Sequence, residues 1–150
     1  MATTAGTTTD GSRRIPVSRI LRAGLTAAVL AAIVNGVISQ VARAVLDAPS
    51  GFLPLQLPTV LVSTVAFILV GTVVFLVINR FARRPVRVFQ VVAVIALLLS
   101  FANPFVIRNS DSERFAGMTG SILVALLLMH IAAAAIAIPI LSRAGRDTIG

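Results

Sequence analysis

Three polar residues stand at matching depths inside long apolar runs of this 150-residue chain: Asn35, Ser100 and His130. Hydrocarbon offers such groups nothing to bond, so within a membrane they pair with one another or serve a bound group. His130 is the most versatile, because an imidazole can carry a proton or ligate a metal. Asn35 and Ser100 would orient it. Asn35 lies 13 residues from Arg22, Ser100 13 from Arg87 and His130 13 from Arg143. At a rise of about 1.5 Å per helical residue, each sits roughly 20 Å from its arginine. Thr64 is 16 residues from Arg80, about one turn further. Such a midplane layer is either the site of a small transporter or channel, or a set of interhelical hydrogen bonds worth about 0.6 kcal/mol each.

Other chemistry is excluded or poorly supported. All 13 basic residues are arginine, so no Schiff-base lysine exists, and with no cysteine there is no thiolate chemistry. The apolar runs hold no carboxylate, which makes a lone histidine a poor proton relay. One histidine is also a poor metal site, since such sites take three or four ligands. No nucleophile–base pair is evident. The expectation is a protein that is not an enzyme and needs no metal or cofactor.

The elements that position the layer follow from composition. Hydrophobic residues are 57% of the chain and charged residues 12%, against roughly 25% charged in soluble domains. Spans are expected at about 23–42, 59–79, 88–107 and 119–141, none containing Asp, Glu, Lys or Arg. Each is long enough to cross a hydrocarbon core of about 30 Å as a helix. The fold class is therefore all-α, a four-transmembrane-helix bundle over residues 19–142. It is flanked by a disordered basic N-terminal tail, 1–18, and a short C-terminal tail, 143–150.

Arginines set the orientation. Arg13, Arg14, Arg19, Arg22, Arg80, Arg83, Arg84, Arg87, Arg143 and Arg146 fall on one side with Asp10 and Asp147, which places the whole net charge of +8 there. Arg43, Arg108 and Arg114 on the other side are balanced by Asp47, Asp111 and Glu113. The positive-inside rule makes the first side cytoplasmic, with both termini inside. Anionic lipid headgroups are the expected partners of those ten arginines, and nucleic acid is not, because no soluble module is present to bind it. A cleaved signal peptide is the rival reading of the first span. The run is long for that role, and Arg43 spoils the small-residue site Ala42-Arg43-Ala44.

The connections differ. The arginines from 13 to 22 surround Pro16, and their segment is expected to lie on the headgroups. Residues 43–58 hold Pro49, Pro54 and Pro58 among Phe52, Leu53, Leu55 and Leu57, which predicts a short piece lying in the interface or capping the bundle. Residues 108–118 read as a solvated polar turn. Pro104 and Pro139 are expected to kink or end their helices. Gln40 and Asn79 fall near the interfaces, where polarity costs little.

The first span has two ridges of small or polar residues, Ala23, Ala27, Ala31, Asn35, Ser39 and Gly24, Ala28, Ala32, Gly36, Gln40; its other ridges are bulky. The fourth has Gly117, Ser121, Ala125, Ala133 and Ala137. Small faces allow close helix approach in lipid, so these two spans are predicted to pack together.

The stretch Arg83-Arg84-Pro85-Val86-Arg87-Val88-Phe89, then Leu98-Leu99-Ser100-Phe101, then Leu128-Met129-His130-Ile131-Ala132-Ala133 and Pro139, resembles a family of small bacterial four-helix membrane proteins catalogued as domain of unknown function 6069. The resemblance covers about residues 19–141 and implies a multi-pass protein of the bacterial cytoplasmic (inner) membrane with no known activity. The functional expectation is a non-enzymatic accessory or structural membrane subunit, forming a homo-oligomer or joining a membrane-protein partner. The alternative is the small transporter or channel.

Overall fold

The computed structural model describes residues 14–108 and 115–146. Helix α1 spans Val17–Val45, α2 Leu57–Phe81, α3 Pro85–Ser100, α4 Ala102–Arg108 and α5 Gly120–Arg146; a single 3₁₀ turn, Leu53–Leu55, joins α1 to α2. Four stretches are long and apolar enough to cross a membrane: α1, α2, the α3–α4 pair over Pro85–Val106, and α5 over Gly120–Gly145. The fold is thus all-helical with four membrane-spanning stretches, and no strand occurs among the described residues.

Helix α1 is the centre of the bundle, and it makes its most extensive contacts with α5 and α2. Its buried face is Gly24, Ala27, Ala28, Ala31, Ala32, Asn35, Gly36, Ser39 and Ala42, preceded by Ile20. The bulky ridges of Leu25, Val29, Ile33, Val37 and Val41 point outward. This is the segregation the two small ridges predict, and α5 meets α1 as expected. Ala27, Ala28 and Ala31 pack with Ile68 of α2, while Ala133, Ile136, Ala137 and Ile140 of α5 close over them.

The contact with α2 has a different basis. Helix α2 buries Val60, Thr64, Ile68, Thr72, Phe75 and Asn79, a single ridge at spacings of three and four. Thr72 lies directly over Gly24, where an added Cβ would collide with the threonine side chain. Its hydroxyl is folded back onto Ile68 O at 2.8 Å, so no polar hydrogen faces the glycine.

The span carried by α3 and α4 is peripheral. Phe89 is the only buried residue of α3. Its ring is tilted against Phe75 with centroids 4.5 Å apart. Gln90 Nε2 donates to Ser142 Oγ on α5 at 3.2 Å. The helix breaks at Phe101, four residues after Leu97 and three before Pro104. A proline ring clashes with the carbonyl four residues back, here that of Ser100, so the break falls where Pro104 dictates. Pro139 does not end its helix: α5 continues through it to Arg146. Neighbouring helices in a membrane can support the freed backbone group.

One end of the bundle departs from the sequence reading, and at the other the proline-rich connection takes one of its two expected forms, the cap. The arginine segment is continuous with the first span rather than a separate piece ahead of it. Pro16 caps α1, which is helical from Val17, and Ile15 is buried against Phe75, Phe89 and Leu141. The folded body therefore includes Ile15, inside the expected tail of 1–18; residues 1–13 lie outside the described residues. At the opposite end the proline-rich connection folds inward as a cap. Phe52 and Leu55 are buried with Ala42, Val60, Ile122, Leu126 and Met129. Two left-handed residues allow the cap's tight course: Asp47 at φ 46° and Gly117 at φ 89°, the latter pressed on Pro49. Phe115 and Met118 also pack against this cluster, so the described part of the 108–118 connection is not a free polar turn. Thr119 caps α5 by accepting from Ile122 N at 3.2 Å.

The Gly24–Thr72 approach yields a direct test. Gly24→Val is expected to lower stability by about 2 kcal/mol, as overpacking does. Thr72→Ala in the same chain should recover most of the loss. Gly71→Ala, on an open side of α2 with no atom within 4 Å, should be neutral or gain up to about 1 kcal/mol. Unfolding by detergent titration from mixed micelles reads all three.

Candidate functional site: polar groups within the spans

Each of the three midplane residues has a different local solution. Asn35 is 4% exposed on the α1 face that meets α2, and its Nδ2 donates to Thr64 Oγ1 at 3.1 Å. The partner is thus the residue that depth counting placed a turn further along. Ser100 is half-buried at the last residue of α3, and its hydroxyl donates to Leu97 O at 2.7 Å. His130 is half-buried on α5, with Nδ1 2.7 Å from Leu126 O. A carbonyl only accepts, so Nδ1 carries the hydrogen, and in the neutral ring Nε2 keeps its lone pair.

The register of the helices keeps Ser100 and His130 near one level. Gln90 bonds Ser142; Ser100 lies ten residues beyond the first and His130 twelve before the second. At 1.5 Å per residue these rises are about 15 and 18 Å, less than one turn apart. Yet no hydrogen bond joins Asn35, Ser100 and His130. Two of the three bond to their own helix, a local arrangement that serine and threonine commonly adopt when buried.

Asn35 is left incomplete. Its Oδ1 is buried and has no hydrogen-bond partner, alone in this among the described side chains. An unmade bond of this kind typically costs about 1–3 kcal/mol. One turn further along α1, Ser39 is fully buried, donates to Gly36 O at 2.8 Å and accepts from the exposed Gln40 Nε2 at 3.4 Å.

A two-point polar contact is made by Asn79, a residue given little weight at its interfacial depth. Asn79 is 7% exposed near the end of α2. Its Nδ2 donates to Ile15 O at 2.9 Å, and its Oδ1 accepts from Ile15 N at 3.2 Å. Both backbone groups of a buried, non-helical residue are thereby satisfied, as buried peptide groups require. Gly145 leaves room for this: a Cβ there would collide with Val86 and come within 2.9 Å of Ile15 Cδ1. The sequence signal for α2's inward ridge was present in Thr64, Thr72 and Asn79, spaced by eight and seven residues.

Around this clamp stand exposed arginines. Arg14, Arg19, Arg22, Arg80, Arg83, Arg84, Arg87 and Arg143 all have exposed side chains. They belong to the start of α1, the end of α2, the α2–α3 connection, the start of α3 and the end of α5, so they encircle the end that holds Ile15. Arg146 is the last residue of α5, and Arg13 lies outside the described residues. Among the described residues no group of three or more His, Cys, Asp or Glu could hold a metal.

Removing the clamp has a measurable signature. Asn79→Ala should destabilise the bundle by about 2 kcal/mol, since it strands both peptide groups of Ile15. It should also speed tryptic cleavage at the Arg14–Ile15 bond by about tenfold or more, as the segment opens locally. Peptide mapping of cleavage time courses in nanodiscs checks this.

Comparison with curated proteins and with solved structures finds no match. The sequence does match a family of unknown function, DUF6069, over residues 15–147, from the buried Ile15 to just past the end of α5, and the chain belongs to that family.

Proposed function

We propose that this membrane protein is a non-enzymatic accessory or structural subunit, seated in the bacterial cytoplasmic membrane with both termini in the cytoplasm. The observation that carries this reading is the self-contained bonding of Ser100 and His130, each to a carbonyl of its own helix. Groups that handle a transported solute converge on it; these two are turned back onto Leu97 and Leu126. The core between α1, α2 and α5 is closed by alanine, isoleucine and threonine side chains, which also favours a fixed scaffold.

An accessory subunit needs lateral surface, and α3 supplies it. Only 6% of that span is buried, and Val91, Ile95, Leu98 and Leu99 all face outward. A second copy or another membrane protein would dock there, with lipid covering what remains. The eight exposed arginines at the other helix ends would hold anionic headgroups, each contributing about 1 kcal/mol near the surface.

Single cysteines in this naturally cysteine-free chain test both parts. Ser100→Cys and His130→Cys are expected to resist a small water-soluble thiol reagent in intact membranes. Rapid labelling at both would instead establish a hydrated cavity and make the transporter or channel the better reading. Gly51→Cys, exposed in the cap, should react from outside in intact spheroplasts. Reaction only after lysis would reverse the orientation.

A further inference from the structure

The Asn35 amide has one unpartnered end, about one helical turn from two further polar side chains, Ser39 and Gln40. A side-chain amide has two donor hydrogens and two acceptor lone pairs. Asn35 uses one of these, toward Thr64. Rotating the amide by half a turn exchanges the end that meets Thr64 and leaves the other end empty, so the vacancy does not depend on which way the group points. Thr64 Oγ1 accepts the existing bond and retains its own hydrogen to donate.

On one side polar residues continue. Ser39 lies four residues along the same ridge, fully buried, and is joined to the exposed Gln40. Gln40 is about 7.5 Å further from the arginine end than Asn35. On the other side the polar residues stop. Ala31, Ala28 and Ala27 with Ile68 form an apolar seal beneath Asn35, and α5 closes over it. The spans contain no carboxylate to balance a cation at this depth.

We propose that Asn35 and Thr64 form a binding site for a small neutral ligand that both donates and accepts hydrogen bonds, water being the simplest. It enters from the capped end past Gln40 and Ser39 and is stopped at the Ala31–Ile68 seal. Buried waters satisfy otherwise unpaired polar groups in this way, and they need two or more polar partners. Asn35 and Thr64 supply those, with Ser39 as the relay above. The site is independent of the accessory role: it involves neither Ser100 nor His130.

The test uses the full chain, labelled with nitrogen-15 at asparagine, in lipid nanodiscs, with water as the probe. The Asn35 side-chain amide is assigned by its loss in Asn35→Thr. Cross-relaxation from a long-resident water to the Asn35 amide protons is the expected result. Its absence from a well-dispersed spectrum, in which the Asn79 amide is resolved, overturns the site. Ser39→Val then tests the route: it should slow deuterium exchange of the Asn35 amide at least threefold and leave Asn79 at the opposite end unchanged. Equal exchange at Asn35 in the two chains overturns entry past Ser39.

Discussion

Helix α1 has to approach two neighbours at once, and lipid provides no hydrophobic pressure to bring them together. Chain and solvent are equally apolar, so association rests on how closely the backbones can come. Gly24 under Thr72 sets that distance to α2; the alanines at 27, 28 and 31 set it to both α2 and α5. A side chain larger than alanine at these positions would separate the helices and forfeit the dispersion contacts along their whole length. The bulky ridges of α1 face away because nothing else is left for them to do: lipid accepts valine and leucine without cost.

Close backbones alone leave both ends of the bundle open, and each end is shut by a non-helical segment with its own chemistry. At the cap, Phe52 and Leu55 fill the gap between α1, α2 and α5. Prolines prevent that stretch from continuing as helix, and the 3₁₀ turn keeps its side chains turned inward. At the arginine end Ile15 fills the gap, but as the entry to a helix it brings unsatisfied peptide groups with it. Asn79 answers both of them with one amide. The polar residue that depth alone marks as unremarkable is thus the one that fixes where the chain enters the fold.

The sequence showed the α1 face plainly because small and large residues are segregated there by ridge. It showed α2 poorly, since valine, leucine and isoleucine surround that helix on every side and swamp the one inward ridge. The helices run beyond the expected spans for a related reason. Absence of charge locates the hydrocarbon, whereas α1 runs past it through Arg22 and Arg19, whose long side chains reach outward from a helix that has not stopped. Of the candidate site, depth was legible and bonding was not. Ser100 and His130 lie within a turn of each other, yet a hydroxyl or imidazole can always turn back to a carbonyl of its own helix. No pattern of residue types distinguishes that choice from an interhelical bond. Asn35 could not make it as readily, and it is the one that reaches across, to Thr64.

The span carried by α3 and α4 is the least buried of the four. Helix α3 is fastened by the Phe75–Phe89 pair and the Gln90–Ser142 bond, both in its first two turns. Beyond them its residues are exposed or half-buried up to Ser100, and there the helix breaks. The span is seated again beyond the break, where Pro104 is fully buried and α4 packs against α5. Between these two seats its outward face is left to lipid, while Asn79, Gly24 and the cap hold the other three helices together. A three-helix core with one peripheral span keeps the exposed apolar face of α3 apart from Asn35, which lies between α1 and α2.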